Sequence, residues 1–121
     1  MILVIGGRAS GKIDWVKREY GYSDSEIADG VLEEKPVVNR LQNIVRQWLD
    51  QGKEPRDLLF YLTEKEIVVC DEMGCGIVPT DEGQNRLREE TGRLCVLLAE
   101  NAAQVVRMIC GIPQWIKGEK Q

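Results

Sequence analysis

A glycine-rich segment near the start of the chain has residue types and a spacing that suit phosphate binding. Residues 6–12 have the sequence Gly-Gly-Arg-Ala-Ser-Gly-Lys, which fits the pattern G-x-x-x-x-G-K. In that pattern the glycines let successive backbone N–H groups face a β-phosphate, the start of the following helix favours an anion, and the lysine reaches the β- and γ-phosphate oxygens. The predicted nucleotide-binding residues are Gly6, Gly7, Arg8, Ala9, Ser10, Gly11, Lys12 and Ile13.

The residue after the lysine departs from that pattern. A Ser or Thr at this position supplies a hydroxyl ligand for Mg²⁺, whereas Ile13 has no ligand atom in its side chain. The loop is therefore predicted to bind phosphate without contributing a hydroxyl to the metal. The alternative is an ordinary turn from a strand to a helix, which would leave Lys12 exposed to solvent.

An acidic pair follows the second long aliphatic run of the chain. Residues 67–70 are Ile-Val-Val-Cys, and Asp71 and Glu72 come directly after them. A carboxylate at the end of a strand beside a phosphate loop commonly holds Mg²⁺, so Asp71 is the predicted metal residue. Glu72 is predicted to orient or deprotonate an acceptor hydroxyl, which makes Lys12 and Glu72 the predicted catalytic residues. The alternative is that the pair solvates or caps a turn, and a solvated turn also accounts for Asp29.

Aliphatic runs and amphipathic stretches alternate along the chain. Runs without polar residues are typical of strands that are buried on both faces of a parallel sheet. Residues 2–5 and 67–70 are such runs and are predicted strands; the short segment 25–28 and the segment 105–109, which includes Arg107, are predicted as further strands. The clearest predicted helix buries Leu41, Ile44 and Val45, with Asn39 as its cap and Gly52 at its end. The other predicted helices run from about Gly11 to Gly21, from Pro55 to Leu62, and onward from a cap at Thr80 or Asp81.

This alternation predicts an α/β fold with a parallel sheet and helices on both faces. A chain of 121 residues has the length of one typical domain, so a single domain over residues 1–121 is predicted. Sixteen Lys and Arg against twenty Asp and Glu leave a formal charge of −4, which provides no broad basic surface for a nucleic-acid backbone. Nucleic acid is therefore not a predicted partner.

Histidine is absent from the chain. This absence excludes Ser/His and Cys/His nucleophile pairs, histidine-ligated zinc, and any phospho-histidine or guanylyl-histidine intermediate on these residues. The cysteines at 70, 75, 95 and 110 form no C-x-x-C pair, so buried free thiols in a reducing compartment are predicted. The opening apolar run ends after five residues, too short for a signal peptide or a membrane span, and a cytoplasmic location without membrane contact is predicted.

Residues 71–79, Asp-Glu-Met-Gly-Cys-Gly-Ile-Val-Pro, include the string E-x-G-x-G-I-V-P. With the later Arg88-Glu89, Thr91-Gly92-Arg93 and Cys110-Gly111-Ile112, they resemble the adenosylcobinamide kinase/adenosylcobinamide-phosphate guanylyltransferase family. Residues 2–12 are similar to that family's phosphate loop. The resemblance runs without gaps from Asp71 to Lys117, whereas residues 21–66 contain almost none of it. The positions that match the family's signature loop beside the active site are Glu72, Gly74, Gly76 and Pro79.

The resemblance implies a cytoplasmic P-loop enzyme of cobalamin assembly with a RecA-like parallel sheet, acting as a homo-oligomer, a trimer in this family. Such enzymes use ATP or GTP with Mg²⁺ to phosphorylate the aminopropanol hydroxyl of adenosylcobinamide. They then transfer GMP to that phosphate through a guanylylated histidine. The second activity is not expected of this chain, because it contains no histidine.

Two functional hypotheses follow from these residues. The first is a compact cobinamide kinase that binds a purine nucleotide, with adenosylcobinamide as the acceptor. The second is a non-catalytic nucleotide- or corrinoid-binding protein that retains the phosphate loop and has lost turnover. The first is the leading hypothesis, and Ile13 and the absence of histidine are the observations on which the second rests.

Overall fold

Six strands form one sheet in the computed structural model, which describes residues 1–72 and 82–118. The strand order across the sheet is β2-β3-β4-β1-β5-β6. The strands are β1 (Ile2–Gly6), β2 (Ile27–Asp29), β3 (Val37–Asn39), β4 (Ile67–Asp71), β5 (Gln104–Ile109) and β6 (Ile112–Lys117). The helices are α1 (Lys12–Tyr20), α2 (Leu41–Asp50), α3 (Leu59–Leu62) and α4 (Glu82–Asn101), with short 3-10 turns at Asp24–Glu26 and Pro55–Leu58. The α/β class is confirmed.

The sheet is parallel from β2 to β5, and only its last pair in the described residues is antiparallel. The predicted parallel sheet is therefore confirmed for β1 to β5, whereas β6, an antiparallel strand after the predicted last strand at residues 105–109, was not predicted. Cys110 and Gly111 both have positive φ, 50° and 76°, which suits a tight hairpin turn between β5 and β6. β6 is an edge strand that contains Pro113 and exposes Ile112, so it lacks the aliphatic run that marks the central strands.

Helices cover both faces of the sheet, as predicted. Helix α1 packs Trp15 and Val16 against one face, where they meet side chains such as Val4 and Met108. Helices α2, α3 and α4 cover the other face, and their fully buried leucines contact Leu3 and Val68 of the central strands. Within the described ranges, none of the helices combines the length and hydropathy that a membrane span requires.

The segment before α2 differs from its prediction. Asn39 ends β3 and is not the helix cap; Arg40 occupies the N-cap position in a left-handed conformation with φ of 55°. β3 was missed because its apolar part is only Val37 and Val38, too short to show a period. β2 covers Ile27–Asp29, later than the predicted 25–28. The predicted caps Thr80 and Asp81, and Gly74, Gly76 and Pro79 of the signature loop, lie outside the described residues.

Candidate functional site

The segment of residues 6–12, here called the glycine loop, joins β1 to α1 at the carboxyl edge of the sheet. Two of its residues have left-handed backbone conformations, Ala9 with φ of 60° and Gly11 with φ of 85°. The N–H of Ser10 donates to the carbonyl of Gly7 at 3.2 Å, which closes a turn within the loop. Left-handed residues in such turns let consecutive N–H groups form an anion-binding concavity, and the start of α1 adds its dipole.

Close contacts with the rest of the fold hold the glycine loop in place. A Cβ atom on Gly6 would lie 2.6 Å from Ser10 Oγ and 2.7 Å from the carbonyl oxygen of Met108. The N–H of Gly111, in the turn between β5 and β6, donates to the carbonyl of Ser10 at 2.9 Å. The hairpin of β5 and β6, which the sequence did not predict, therefore holds the glycine loop through this hydrogen bond.

The Lys12 side chain is 7% exposed and lies against the glycine loop. Its ammonium group donates to the Gly7 carbonyl at 2.7 Å and to Asp71 Oδ1 at 2.7 Å, and lies 3.4 Å from Ser10 Oγ. The alternative of an exposed lysine is therefore wrong. Burial with a carboxylate partner fixes the direction of the ammonium group, which faces the space between the loop and the end of β4.

Asp71 is the last residue of β4 and lies beside Gly6 in the register of the parallel β1–β4 pair. Both of its carboxylate oxygens have donors, because Oδ1 accepts from Lys12 and Oδ2 accepts from Gln42 Nε2 at 3.0 Å. The Asp71 N–H in turn donates to Gln42 Oε1 at 3.2 Å. Sequence reasoning missed Gln42, since it is one polar residue in the first turn of an amphipathic helix and no local pattern distinguishes it.

Glu72 follows Asp71 and forms hydrogen bonds with residues of β1 and β5. Its N–H donates to the Gly6 carbonyl at 2.7 Å. Its carboxylate forms a bidentate ion pair with the Arg107 guanidinium, in which Nε lies 2.8 Å from Oε1 and Nη2 lies 3.1 Å from Oε2. Such paired contacts fix orientation as well as distance. Arg107 lies in β5 and was also missed, because a single arginine in a strand gives no sequence signal.

A cleft of about 940 Å³ opens between the glycine loop, the start of α2 and the first turns of α4. Among the described residues that line it, five are cationic and three are acidic, although the whole chain has a charge of −4. The charged lining residues are Arg8, Lys12, Arg40, Arg46, Arg88, Asp14, Asp71 and Glu72. This local excess of positive charge favours an anionic ligand.

The positions of Ile13, a predicted site residue, and of Asp29, which the sequence assigns to a solvated turn, limit their roles. Ile13 lines the cleft and also packs against the apolar cluster under α1, so its side chain offers contact area but no ligand atom. Asp29 ends β2 and is exposed, where Asn39 Nδ2 donates to it at 3.1 Å and the Arg40 Nε lies 3.5 Å away. Asp29 is not among the described residues that line the cleft.

Two thiols lie beneath the acidic pair. Cys70 is fully buried, and its interaction with the Cys95 thiol, together with burial, raises the pKa of Cys70 well above its usual value. The same contact lowers the pKa of Cys95. The three described cysteines are free thiols, as predicted, but Cys110 in the turn before β6 is exposed, so its predicted burial is wrong. Cys75 lies outside the described residues. Cys70 therefore remains neutral next to Asp71 and adds no charge to the site.

Comparison with known proteins identifies one family model, described as cobinamide kinase / cobinamide phosphate guanyltransferase, that matches residues 31–116. The match covers more than half of the chain and includes Gln42, Asp71, Glu72 and Arg107. The match begins at residue 31, so the expectation that residues 21–66 contain almost none of the resemblance is wrong for residues 31–66. The match does not include the glycine loop. A search of curated proteins finds no match to the chain.

Proposed function

Because the chain belongs to the cobinamide kinase / cobinamide phosphate guanyltransferase family, we propose that it is a nucleotide-dependent kinase of cobalamin biosynthesis. In this proposal the P-loop of a RecA-like domain over residues 1–121 binds ATP or GTP with Mg²⁺. The terminal phosphate is transferred to the aminopropanol hydroxyl of adenosylcobinamide. The observation that carries the proposal is the buried Lys12 ammonium group, held between the Gly7 carbonyl and the Asp71 carboxylate at the mouth of a cationic cleft.

The glycine loop and Lys12 bind the polyphosphate in this proposal. The backbone N–H groups of Arg8 to Ile13 bind the β-phosphate, and the Ser10 N–H exchanges the Gly7 carbonyl for a phosphate oxygen. The left-handed residues of the loop and the start of α1 suit an anion at this point. The Lys12 ammonium group exchanges its present acceptors for β- and γ-phosphate oxygens. Its role is to stabilise the negative charge of the transferred group as the bond to the leaving oxygen breaks.

The donor set beside the loop fits a magnesium ion that arrives with the nucleotide. The described residues contain no cluster of three or more His, Cys, Asp and Glu side chains that would hold a metal by itself. Mg²⁺ in nucleotide sites typically takes one or two carboxylates together with phosphate oxygens and water, and Asp71 supplies such a carboxylate. When bound, the ion neutralises charge on the β- and γ-phosphates.

Glu72 is the proposed residue for the acceptor. Arg107 fixes its carboxylate at the edge of the cleft, which restricts the positions in which it accepts a hydrogen bond. In this position Glu72 orients the acceptor hydroxyl and accepts its proton during transfer. Guanylyl transfer through histidine is not part of the proposal, because the chain contains no histidine.

Ile13 favours a second candidate function, a nucleotide-binding protein without turnover. Its half-buried side chain occupies the position where a hydroxyl would bind the metal. We expect Ile13→Ser to raise Mg²⁺-dependent phosphate transfer by about 10-fold if the missing ligand limits turnover, one tenfold step being about 1.4 kcal/mol. The assay is formation of cobinamide phosphate from labelled nucleotide, and Ile13→Ala is the control for lost packing. Equal activities of the Ser and Ala variants would show that the hydroxyl is not limiting.

Nucleotide titration by calorimetry, with and without Mg²⁺, tests the binding step shared by both candidates. Binding of ATP or GTP followed by formation of cobinamide phosphate supports the kinase, and binding without product supports the second candidate. If neither nucleotide binds at millimolar concentration, both candidates are wrong. The proposal also includes a cytoplasmic location and a homo-oligomer, trimeric by family resemblance, which analytical ultracentrifugation tests.

A further inference from the structure

The two oxygens of the Asp71 carboxylate have partners of different kinds. Oδ1 accepts from the Lys12 ammonium group at 2.7 Å, and Oδ2 accepts from the amide of Gln42 at 3.0 Å. Lys12 belongs to the glycine loop, whereas Gln42 belongs to the first turn of α2 on the other side of the cleft. The carboxylate is thus held from two independent elements of the fold.

These partners differ in what nucleotide binding does to them. On the proposed function, Lys12 turns to the β- and γ-phosphates when a nucleotide enters, and the Oδ1 atom of Asp71 then loses its donor. The bond from Gln42 involves no atom that the phosphates require. Oδ2 therefore keeps its donor while Oδ1 becomes available to an incoming ligand.

Gln42 is well placed to hold the carboxylate alone. Its amide makes two bonds to the same residue, donating to Oδ2 and accepting from the Asp71 N–H at 3.2 Å. The paired bonds define which end of the amide is oxygen and which is nitrogen, so the group cannot rotate without losing both. Its helix is anchored by the neighbouring Leu41 and Ile44, which are 0% and 1% exposed.

We propose that Gln42 is a positioning residue, which keeps the Asp71 carboxylate aimed at the nucleotide-borne Mg²⁺ after Lys12 has moved to the phosphates. This inference rests on the proposed function. It adds that Mg²⁺ binding needs a residue of α2 besides the glycine loop and the acidic pair. In this arrangement Gln42 does not touch the substrate. It acts through Asp71, and its contribution appears only when Mg²⁺ accompanies the nucleotide.

The test measures how much Mg²⁺ tightens nucleotide binding in matched glutamine variants. Gln42→Met keeps the length of the side chain and removes both bonds to Asp71. Gln47→Met is the control, because Gln47 lies in the same helix and donates to the carbonyl of Gly30 at 2.9 Å, away from Asp71. Calorimetric titrations with ATP or GTP are made for each variant with Mg²⁺ and with EDTA, and thermal unfolding of each free protein is recorded.

We expect Gln42→Met to lower the Mg²⁺-dependent gain in affinity by about 10-fold, the size of a lost hydrogen bond to a charged group. Its affinity in EDTA and the behaviour of Gln47→Met stay within about twofold of the parent. If Gln42→Met does not fold, Gln42→Asn keeps a polar group that is too short to make both bonds, and the same loss is expected.

The outcomes separate this inference from the proposed function. A purely structural role for Gln42 predicts that Gln42→Met loses the same affinity with Mg²⁺ and with EDTA, and that result would overturn the inference. The inference is also wrong if Mg²⁺ tightens nucleotide binding as much in Gln42→Met as in the parent. Parent protein that binds nucleotide equally well with and without Mg²⁺ also overturns it and leaves nucleotide binding intact. Parent protein that binds no nucleotide refutes the proposed function, and the inference falls with it.

Discussion

Lys12→Ala is expected to weaken nucleotide binding and to lower the rate of phosphate transfer by at least about 100-fold, the usual loss of rate on removing one preorganised donor to the transition state. The ammonium group is the only lysine charge among the described residues of the cleft, and its position between Gly7 and Asp71 is fixed by burial. A water molecule in place of the ammonium group would lack both its charge and its fixed position. Calorimetry gives the change in affinity, and the labelled-nucleotide assay gives the change in rate.

Lys17→Ala is the matched control for that variant. Lys17 lies in the same helix and pairs with the exposed Asp24, outside the cleft. Its replacement is expected to change nucleotide affinity by less than about twofold, because exposed ion pairs contribute little. If Lys12→Ala binds nucleotide as well as Lys17→Ala does, the glycine loop is not the phosphate site.

Gly6→Ala is expected to lower the free energy of unfolding by about 3 kcal/mol, the upper part of the range for forcing atoms into a packed site. A Cβ on Gly6 would lie 2.7 Å from the Met108 carbonyl, a backbone atom that cannot move aside without separating β1 from β5. It would also meet Ser10 Oγ at 2.6 Å and displace the glycine loop. Urea unfolding measures the stability, and the affinity for nucleotide is expected to fall with it.

The adjacent glycine offers a control within the same loop. A Cβ on Gly7 meets no heavy atom within 4 Å, so Gly7→Ala is expected to change the free energy of unfolding by less than about 0.5 kcal/mol. Equal destabilisation by the two alanine variants would contradict the close packing between Gly6 and β5. A stable Gly6→Ala protein would do the same.

Much of the site could be located from local sequence signals. The glycine loop was placed between a strand and a helix because residues 2–5 form a buried aliphatic run and a helical period follows them. The acidic pair was placed at the end of a strand for the same reason. Parallel strands end at one edge, which predicts that Lys12 and Asp71 lie near each other. These inferences require only patterns within a few residues.

Other features gave no such signal. β3 and β6 were missed because one has too few apolar residues to show a period and the other is an exposed edge with a proline. Gln42 and Arg107 were missed because their partners, Asp71 and Glu72, lie 29 and 35 residues away along the chain. A polar residue whose contact is that distant looks like any surface position in the sequence.

The sequence by itself determined the long aliphatic strands, the main helices, the glycine loop and the acidic pair, because burial and backbone conformation impose local periods and residue types. Only the tertiary structure decided that Lys12 is buried, which residues hold each carboxylate oxygen, and that a hairpin supports the loop. Those contacts depend on the register between strands that are far apart in the chain. That register is set by packing of the whole sheet against its helices, which no short segment encodes.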